Sequence, residues 1–237
     1  MKHCVIWVPW MPIASNLRDI QGRIGSAALA VGRDPASVRL VAVSKTRPAE
    51  DVLEAYQAGQ RVFGENYVQE LVAKAAEVAE PAEWHFIGHL QSNKVKLLAG
   101  LVTMIHSVDR FSLAEEISRQ WGKLGSSCDI LIQVNLSGEA TKSGTSEAEA
   151  LQLVRAVASL PHVRVRGLMT MPPFFDDPEA ARPFFAELRR LSQRIEAEGI
   201  PGIEMRELSM GMSGDFEAAV QEGATLVRVG TSIFGER

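Results

Sequence analysis

The first residue with the character of a nucleophile is a lysine that ends an apolar segment. Ser44, Lys45 and Thr46 directly follow Leu40–Val43, which is wholly apolar. Partial removal from water favours the neutral form of an amine, which attacks the carbonyl carbon of an aldehyde and forms a Schiff base. For this residue alone, the simpler interpretation is a lysine that extends its ammonium group to solvent at the rim of the fold.

Two segments near the C-terminus, 208–215 and 228–235, are rich in small residues. The ones best suited to a phosphate are Ser213, Gly214, Gly230 and Thr231. Backbone N–H groups in such loops bind phosphate together with a helix N-terminus. Each glycine alone is weak evidence, because turns use glycine throughout proteins. Together with Lys45, however, the two segments indicate a ligand that carries both an aldehyde and a phosphate. Pyridoxal 5′-phosphate (PLP) fits that description.

The histidines and acidic residues at other strand ends are less informative. His85 and His89 are four residues apart, but they fall on a predicted strand, and the helical H-E-x-x-H pattern is absent. Asp109 follows another predicted strand and is as well explained by a helix N-cap as by a catalytic acid. We therefore expect no metal site.

The composition excludes several classes of function. The chain has 237 residues and carries 25 Lys and Arg against 29 Asp and Glu, a net charge of −4. This balance provides no basic field of the kind that nucleic acid needs, so we expect no nucleic-acid partner. Two cysteines, Cys4 and Cys128, are too few for a disulfide framework. We therefore expect a reducing, cytoplasmic environment.

The chain begins with an apolar leader. Lys2 precedes a run that Pro9 and Pro12 interrupt, and no convincing cleavage site of small residues follows. The run is also too short to cross a bilayer, and no other stretch approaches that length, so we expect no membrane association. We predict a disordered or loosely packed leader over residues 1–13 and a single PLP-binding domain over residues 14–237.

Short apolar segments alternate with amphipathic ones along the rest of the chain. The predicted strands are Leu40–Val43, Arg61–Gly64, Trp84–Ile87, Met104–Ser107, Ile130–Val134, Val165–Met169, Glu207–Ser209 and Leu226–Val229. The predicted helices are Asn16–Val31, Ala49–Ala58, Tyr67–Val78, Asn93–Ala99, Phe111–Leu124, Glu147–Ser159, Glu179–Glu198 and Asp215–Glu222. This alternation indicates βαβ units around a parallel sheet. Roughly 24 residues per unit favour a closed (β/α)8 TIM-type barrel, although an open doubly wound sheet also fits.

Eight stretches carry a resemblance to a known family. They are VAVSKTRP, VFGENYVQE, WHFIGHLQSNK, IHSVDR, VNLSGEATKSG, GLMTMPP, ELSMGMSGDFEAAV and VRVGTSIFGER. In this unbroken order, from about residue 16 to the C-terminus, they resemble the pyridoxal phosphate homeostasis protein family. That family is similar to the N-terminal barrel domain of alanine racemase and lacks the second, β-rich domain of that enzyme. The resemblance therefore implies an α/β protein with a single barrel of this kind.

The resemblance also implies roles for particular residues. Lys45 would be the Schiff-base lysine, and Arg228 would face the pyridine nitrogen of PLP. The phosphate would be held by Ser213, Gly230 and Thr231. Pocket-lining positions would be Asn66, Ser107, Ser209 and Met210. The chain departs from the family at Gly214, where members often carry Asp; this puts in doubt only the detail of the helix start.

Three hypotheses for the function remain open at this point. The first is a protein that holds PLP reversibly and buffers or delivers it, without efficient turnover; its partners would be PLP and apo PLP-dependent enzymes, and we expect a monomer. The second is a PLP-dependent amino-acid racemase of low efficiency. The third is a phosphosugar aldolase that uses Lys45, which the lack of a well-placed acid or base disfavours. An arginine at the pyridine nitrogen leaves it unprotonated and weakens the electron sink, which favours the first hypothesis.

Overall fold

Eight parallel strands close into a ring in the computed structural model, which describes residues 13–139 and 143–236. The strands are β1 (Arg39–Val43), β2 (Val62–Glu65), β3 (Glu83–Phe86), β4 (Met104–Val108), β5 (Cys128–Asn135), β7 (Val163–Met169), β8 (Glu207–Ser209) and β9 (Leu226–Val229). Their order around the ring is β4-β3-β2-β1-β9-β8-β7-β5, and a pairing between β4 and β5 closes it. The closed (β/α)8 barrel is therefore confirmed, and the open doubly wound sheet is wrong.

Helices connect the strands and cover the outside of the barrel. They are α1 (Ile13–Leu29), α2 (Ala49–Gln57), α3 (Val68–Glu77), α4 (Val95–Leu98), α5 (Phe111–Gly122), α6 (Glu147–Val157), α7 (Arg182–Ala197), α8 (Phe216–Gln221) and α9 (Thr231–Phe234). Ile13, the last residue of the predicted leader, begins α1 and is buried; residues 1–12 lie outside the described part of the chain. No helix among the described residues combines the length and apolar character needed to cross a membrane.

Apolar side chains form two layers, one inside the ring and one between the ring and the helices. On β1, Leu40 and Ala42 belong to the outer layer and Val41 to the inner one, as the two-residue period of a strand requires. The inner layer takes one residue from each of six strands: Val41, Val62, Met104, Leu131, Met169 and Leu226. Because this layer fills the inside of the barrel, a ligand can bind only at the ends of the strands.

Several local predictions differ from the structure. Asp109 is not the cap of the following helix; the N-cap residue of α5 is Arg110, to which Asp109 is ion-paired at 2.7 Å. Helix α8 begins at Phe216, one residue later than predicted. A two-residue strand, β6 (Thr145–Ser146), pairs in parallel with β5 and was not predicted. These differences leave the order of the barrel strands unchanged.

Candidate functional site

A cavity of about 550 Å³ opens at the carboxyl ends of the barrel strands. Four neighbouring strands, β2, β1, β9 and β8, bring polar residues to it. Six of the nine residues predicted from the sequence line this one cavity: Lys45, Asn66, Ser213, Arg228, Gly230 and Thr231. These residues are up to 186 positions apart in the chain (Lys45 to Thr231). The parallel arrangement unites them, because it places every strand's carboxyl end at the same rim.

The other three predicted residues are buried but do not line this cavity. Met210 is fully buried in the outer apolar layer. Ser209 is also fully buried, and its hydroxyl contacts Arg228 and His106. Ser107 lies at the end of β4 with 1% of its surface exposed. Their place as pocket-lining residues therefore stays a prediction.

One wall of the cavity comes from a segment that the sequence analysis did not single out. Residues 171–181 follow β7 and contribute Met171, Phe174, Phe175, Pro178 and Ala181. Phe174 is 85% exposed, which is unusual for a phenylalanine. The sequence carried a signal for this wall, because MPPFF directly follows a predicted strand, at the end where barrels place their sites.

The small residues after β8 and β9 meet at one end of the cavity. Ser213 Oγ accepts a 3.2 Å hydrogen bond from the N–H of Gly230. A Cβ at position 230 would lie 3.1 Å from the carbonyl oxygen of Val43, a tight contact that favours glycine here. Position 214, by contrast, has open space around it, so an aspartate would also fit there. Hydroxyl and N–H donors thus gather where the sequence predicted a phosphate.

One carboxylate lies close to these donors. Asp215 lines the cavity, and its Oδ1 accepts a 2.6 Å hydrogen bond from the N–H of Met212. Burial raises the pKa of Asp215, while the hydrogen bond to the Met212 N–H and the charge of Arg228 act in the opposite direction. Because this carboxylate oxygen is already engaged with the backbone, Asp215 shapes the loop rather than offering a donor to an anion.

Arg228 is a buried cation at the base of the cavity. Its guanidinium donates to Ser209 Oγ at 2.6 Å and to the carbonyl oxygen of Thr170 at 3.0 Å. Burial lowers its pKa to about 10, and the charge of Asp215 partly opposes this shift. The group therefore stays protonated at neutral pH. Both of these acceptors are neutral, and a guanidinium has five N–H donors, so N–H groups remain for an acceptor in the cavity.

Two buried oxygens without hydrogen-bond partners point to a ligand. Among the described residues, Asn66 Oδ1 and Ser107 Oγ are two of three such side-chain atoms, and the third is Glu65 Oε2. A buried polar atom without a partner is costly, and in native proteins it often marks a functional position. Asn66 lines the cavity. The amine of Lys45, the small-residue loops, the Arg228 cation and this amide match the chemistry of PLP.

Two histidines inside the barrel have no direct access to the cavity. His106 Nδ1 lies 2.9 Å from Ser209 Oγ, and His106 Nε2 lies 2.9 Å from His85 Nδ1. The other ring nitrogen of His85 contacts Glu83 Oε1 at 2.9 Å. No group of three or more metal-ligating His, Cys, Asp or Glu side chains occurs among the residues that the structure describes.

The two tyrosines of the chain lie away from the cavity wall. Tyr56 is partly buried against the outer core and stacks beneath the guanidinium of Arg61. Tyr67 is 57% exposed at the N-terminus of α3. Neither lines the cavity. A tyrosine is therefore not available there as a second acid–base group opposite Lys45.

Comparison with known families and structures agrees with this geometry. The family model for the alanine racemase N-terminal domain matches residues 13–237. An alanine racemase from Clostridium difficile has the same fold, with a TM-score of 0.73 and 14% identity over 94% of this chain and 57% of that chain. The barrel and the family model together define the class: barrels of the alanine racemase N-terminal type.

More similar proteins narrow the class. A pyridoxal phosphate homeostasis protein of Pseudomonas aeruginosa is 47% identical over 226 residues, which are 95% of this chain and 96% of that protein. The structure of PipY from Synechococcus elongatus with PLP bound has a TM-score of 0.83 and 39% identity, covering 94% of this chain and 100% of that chain. The chain belongs to the pyridoxal phosphate homeostasis protein family.

Proposed function

We propose that this protein binds PLP reversibly, with Lys45 as its covalent attachment point, and acts in PLP homeostasis. Lys45 would supply the amine that binds the aldehyde group of PLP covalently, with release of one water. The observation that carries the proposal is the single cavity that unites Lys45 with the predicted phosphate loops and Arg228. The PLP-bound structure of the similar PipY supports it.

Each part of the cavity has a matching part of the ligand. The hydroxyl of Ser213 and the loop from Gly230 to Thr231 would hold the phosphate, and Asn66 would line the same pocket. Arg228 would donate to the pyridine nitrogen, which would then be unprotonated, because a guanidinium has no acceptor. When bound, PLP would supply an electron-withdrawing ring, and an unprotonated nitrogen weakens that property.

This arrangement favours storage and delivery over amino-acid turnover. Racemisation that passes through a weak electron sink needs two well-placed bases. Of the residues that line the cavity, Lys45 and Asp215 have the character of a base, and Oδ1 of Asp215 is already held by the N–H of Met212. The acceptors of PLP would be apo PLP-dependent enzymes, with the protein acting as a cytoplasmic monomer. Release to such an enzyme without turnover is the property that separates this role from that of a racemase.

Absorbance spectroscopy tests ligand and covalency together. We expect the purified protein, incubated with PLP, to show a visible band that borohydride removes. Peptide mapping should then find the reduced adduct on Lys45. In Lys45→Ala both the band and the adduct should be lost, while circular dichroism shows an intact fold. An adduct that maps to another lysine would contradict the assignment. Residual affinity in the variant would not, because the phosphate contacts remain.

A further inference from the structure

Two side chains of helix α3 bind the peptide groups on either side of Lys45. Lys74 Nζ donates a 2.5 Å hydrogen bond to the carbonyl oxygen of Ser44. The carboxylate of Glu70 accepts a hydrogen bond from the N–H of Thr46. These two planar peptide groups flank the Cα of Lys45, so their orientations define its two backbone dihedral angles. Helix α3 thus holds the backbone of Lys45 from both sides.

The two side chains belong to one buried ionic cluster. Lys74 is only 5% exposed, and its ammonium group also contacts Glu65 Oε1 at 2.6 Å and Glu70 Oε1 at 2.8 Å. An ammonium group has three N–H donors, and these three oxygens account for all of them. Glu65 Oε1 additionally accepts a 2.7 Å hydrogen bond from the hydroxyl of Ser44. A buried charge requires this degree of pairing, which fixes the cluster's geometry.

The segment held by the cluster has an unusual backbone. Thr46 has a φ of +63°, and it is the only non-glycine residue with positive φ in the described ranges 13–139 and 143–236. This left-handed conformation is unfavourable for a β-branched residue. It is the third residue of a tight turn in which the N–H of Arg47 donates to the carbonyl of Ser44 at 3.0 Å. Strain of this kind persists only where surrounding contacts enforce it, and here Glu70 supplies one.

We propose that Glu70 and Lys74 are positioning residues that fix the backbone of Lys45 and thereby aim its Nζ into the cavity. The proposal rests on the proposed function, in which Lys45 is the attachment point of PLP. It assigns a purpose to the stretch VFGENYVQE, whose Glu65 and Glu70 belong to the cluster although neither lines the cavity. An amine that is already oriented toward the aldehyde reacts faster, because less orientational freedom is lost when the bond forms.

The test compares covalent attachment with simple binding. Glu70→Ala removes the acceptor of the Thr46 N–H at a partly exposed position. We expect it to slow formation of the borohydride-reducible PLP adduct about ten-fold, the effect of one hydrogen bond to a charged group. Affinity for pyridoxine 5′-phosphate, which has the phosphate and ring but no aldehyde, should stay unchanged. Glu77→Ala, an exposed change on the same helix, is the matched control.

Two further variants separate positioning from a purely structural role. Glu70→Gln keeps an oxygen acceptor and should restore the rate of adduct formation. The double variant Glu65→Leu with Lys74→Met removes the donor to Ser44 without leaving a buried charge unpaired, and it should also slow the adduct. In the ligand-free protein, hydrogen exchange at the Thr46 N–H should speed up in Glu70→Ala.

The possible results have distinct meanings. If the wild-type protein forms no adduct on Lys45, the proposed function fails. If the wild type forms it and Glu70→Ala reacts equally fast, the positioning role is refuted. Equal losses of adduct rate and of pyridoxine 5′-phosphate affinity would also refute it, because they would show that the cluster maintains the whole cavity rather than the direction of Lys45.

Discussion

Arg228 Nη1 donates a 2.6 Å hydrogen bond to Ser209 Oγ, and this contact begins a chain of hydrogen bonds through the barrel. His106 Nδ1 lies 2.9 Å from the same hydroxyl, and His106 Nε2 lies 2.9 Å from Nδ1 of His85. The chain ends on the carboxylate of Glu83, which can only accept, so His85 Nε2 donates to it. With both imidazoles neutral, His85 Nδ1 accepts from His106 Nε2, and His106 Nδ1 accepts from the hydroxyl of Ser209.

The first prediction concerns the tautomers of these two histidines. Both should be neutral with the proton on Nε2, because in every hydrogen bond of the chain the donor is on the side of Arg228 and the acceptor on the side of Glu83. Nitrogen-15 NMR of the ligand-free protein near pH 7 distinguishes the two ring nitrogens directly. His89, an exposed histidine, serves as the internal reference. A proton on Nδ1 of His106 would contradict the direction derived from the carboxylate of Glu83.

The second prediction concerns stability at acid pH. Burial lowers the pKa of His85, and that of His106 well below 6.5; nearby positive charges add to the effect at His106. The unfolded chain therefore binds protons that the folded one does not as the pH falls below about 6.5. The unfolding free energy should decline in that range, by up to ~1.4 kcal/mol per pH unit for each histidine.

Urea unfolding of the ligand-free protein between pH 5 and 7 measures this slope. His106→Gln should be less stable at pH 7 but should lose less stability on acidification. Glu65 and Asp215, whose pKa values burial raises, act in the opposite direction. The informative quantity is therefore the difference between variants. Identical slopes in wild type and His106→Gln would contradict the assignment.

The fold could be predicted because the alternation of apolar strands and amphipathic helices along the chain was sufficient to indicate a barrel of parallel strands. β8 and β9 occur at the predicted residues. β5 extends over Cys128–Asn135, beyond the predicted Ile130–Val134, because Cys128 and Asp129 pair with β7 and Asn135 pairs with β6. β6 exists only through its pairing with β5, a non-local contact that its two residues do not encode.

The sequence indicated which residues gather at the cavity better than it indicated how their side chains are arranged. The predicted strand ends brought Lys45 and Arg228 to one rim of the barrel, and both residues line the cavity. Their roles there stay predictions. The positions of hydroxyl groups depend on side-chain direction, which the sequence does not specify. Ser209 illustrates this: its hydroxyl bonds to Arg228 and His106. The support of Lys45 by Lys74 depends on how α3 packs against β1 and β2, so no motif predicted it.

A third prediction concerns the glycine that lies against Asn66. A Cβ at position 88 would lie 2.1 Å from the carbonyl oxygen of Asn66. Gly88→Ala therefore forces the backbone of Asn66 to move and should destabilise the protein by about 2 kcal/mol or more. Gly214→Ala is the matched control at another cavity residue, because its Cβ would meet no atom within 4 Å. Thermal unfolding of both variants checks this; equal melting temperatures would count against the contact.

A fourth prediction concerns the phosphate end of the cavity. Ser213→Ala removes a hydroxyl donor and also the acceptor of the Gly230 N–H. A hydrogen bond to a charged group contributes about 1.5–3 kcal/mol, so affinity for PLP should fall about ten-fold or more. Pyridoxal, which has no phosphate, should lose much less. Titration followed by absorbance compares the two ligands. Equal losses for both would show that the serine maintains the loop rather than binding phosphate.

The last prediction separates a PLP carrier from a racemase. Arg228 stays protonated, because its pKa is about 10, and it can therefore only donate hydrogen bonds. In the proposed complex the pyridine nitrogen beside it would be unprotonated, and the ring would withdraw electrons weakly. Neither tyrosine of the chain lines the cavity as a second base. The PLP-loaded protein should convert L-alanine to D-alanine no faster than free PLP with Lys45→Ala, as measured by chiral chromatography. The same loaded protein should restore activity to an apo PLP-dependent enzyme. Rapid racemisation by the wild type would reject the carrier role and support the racemase instead.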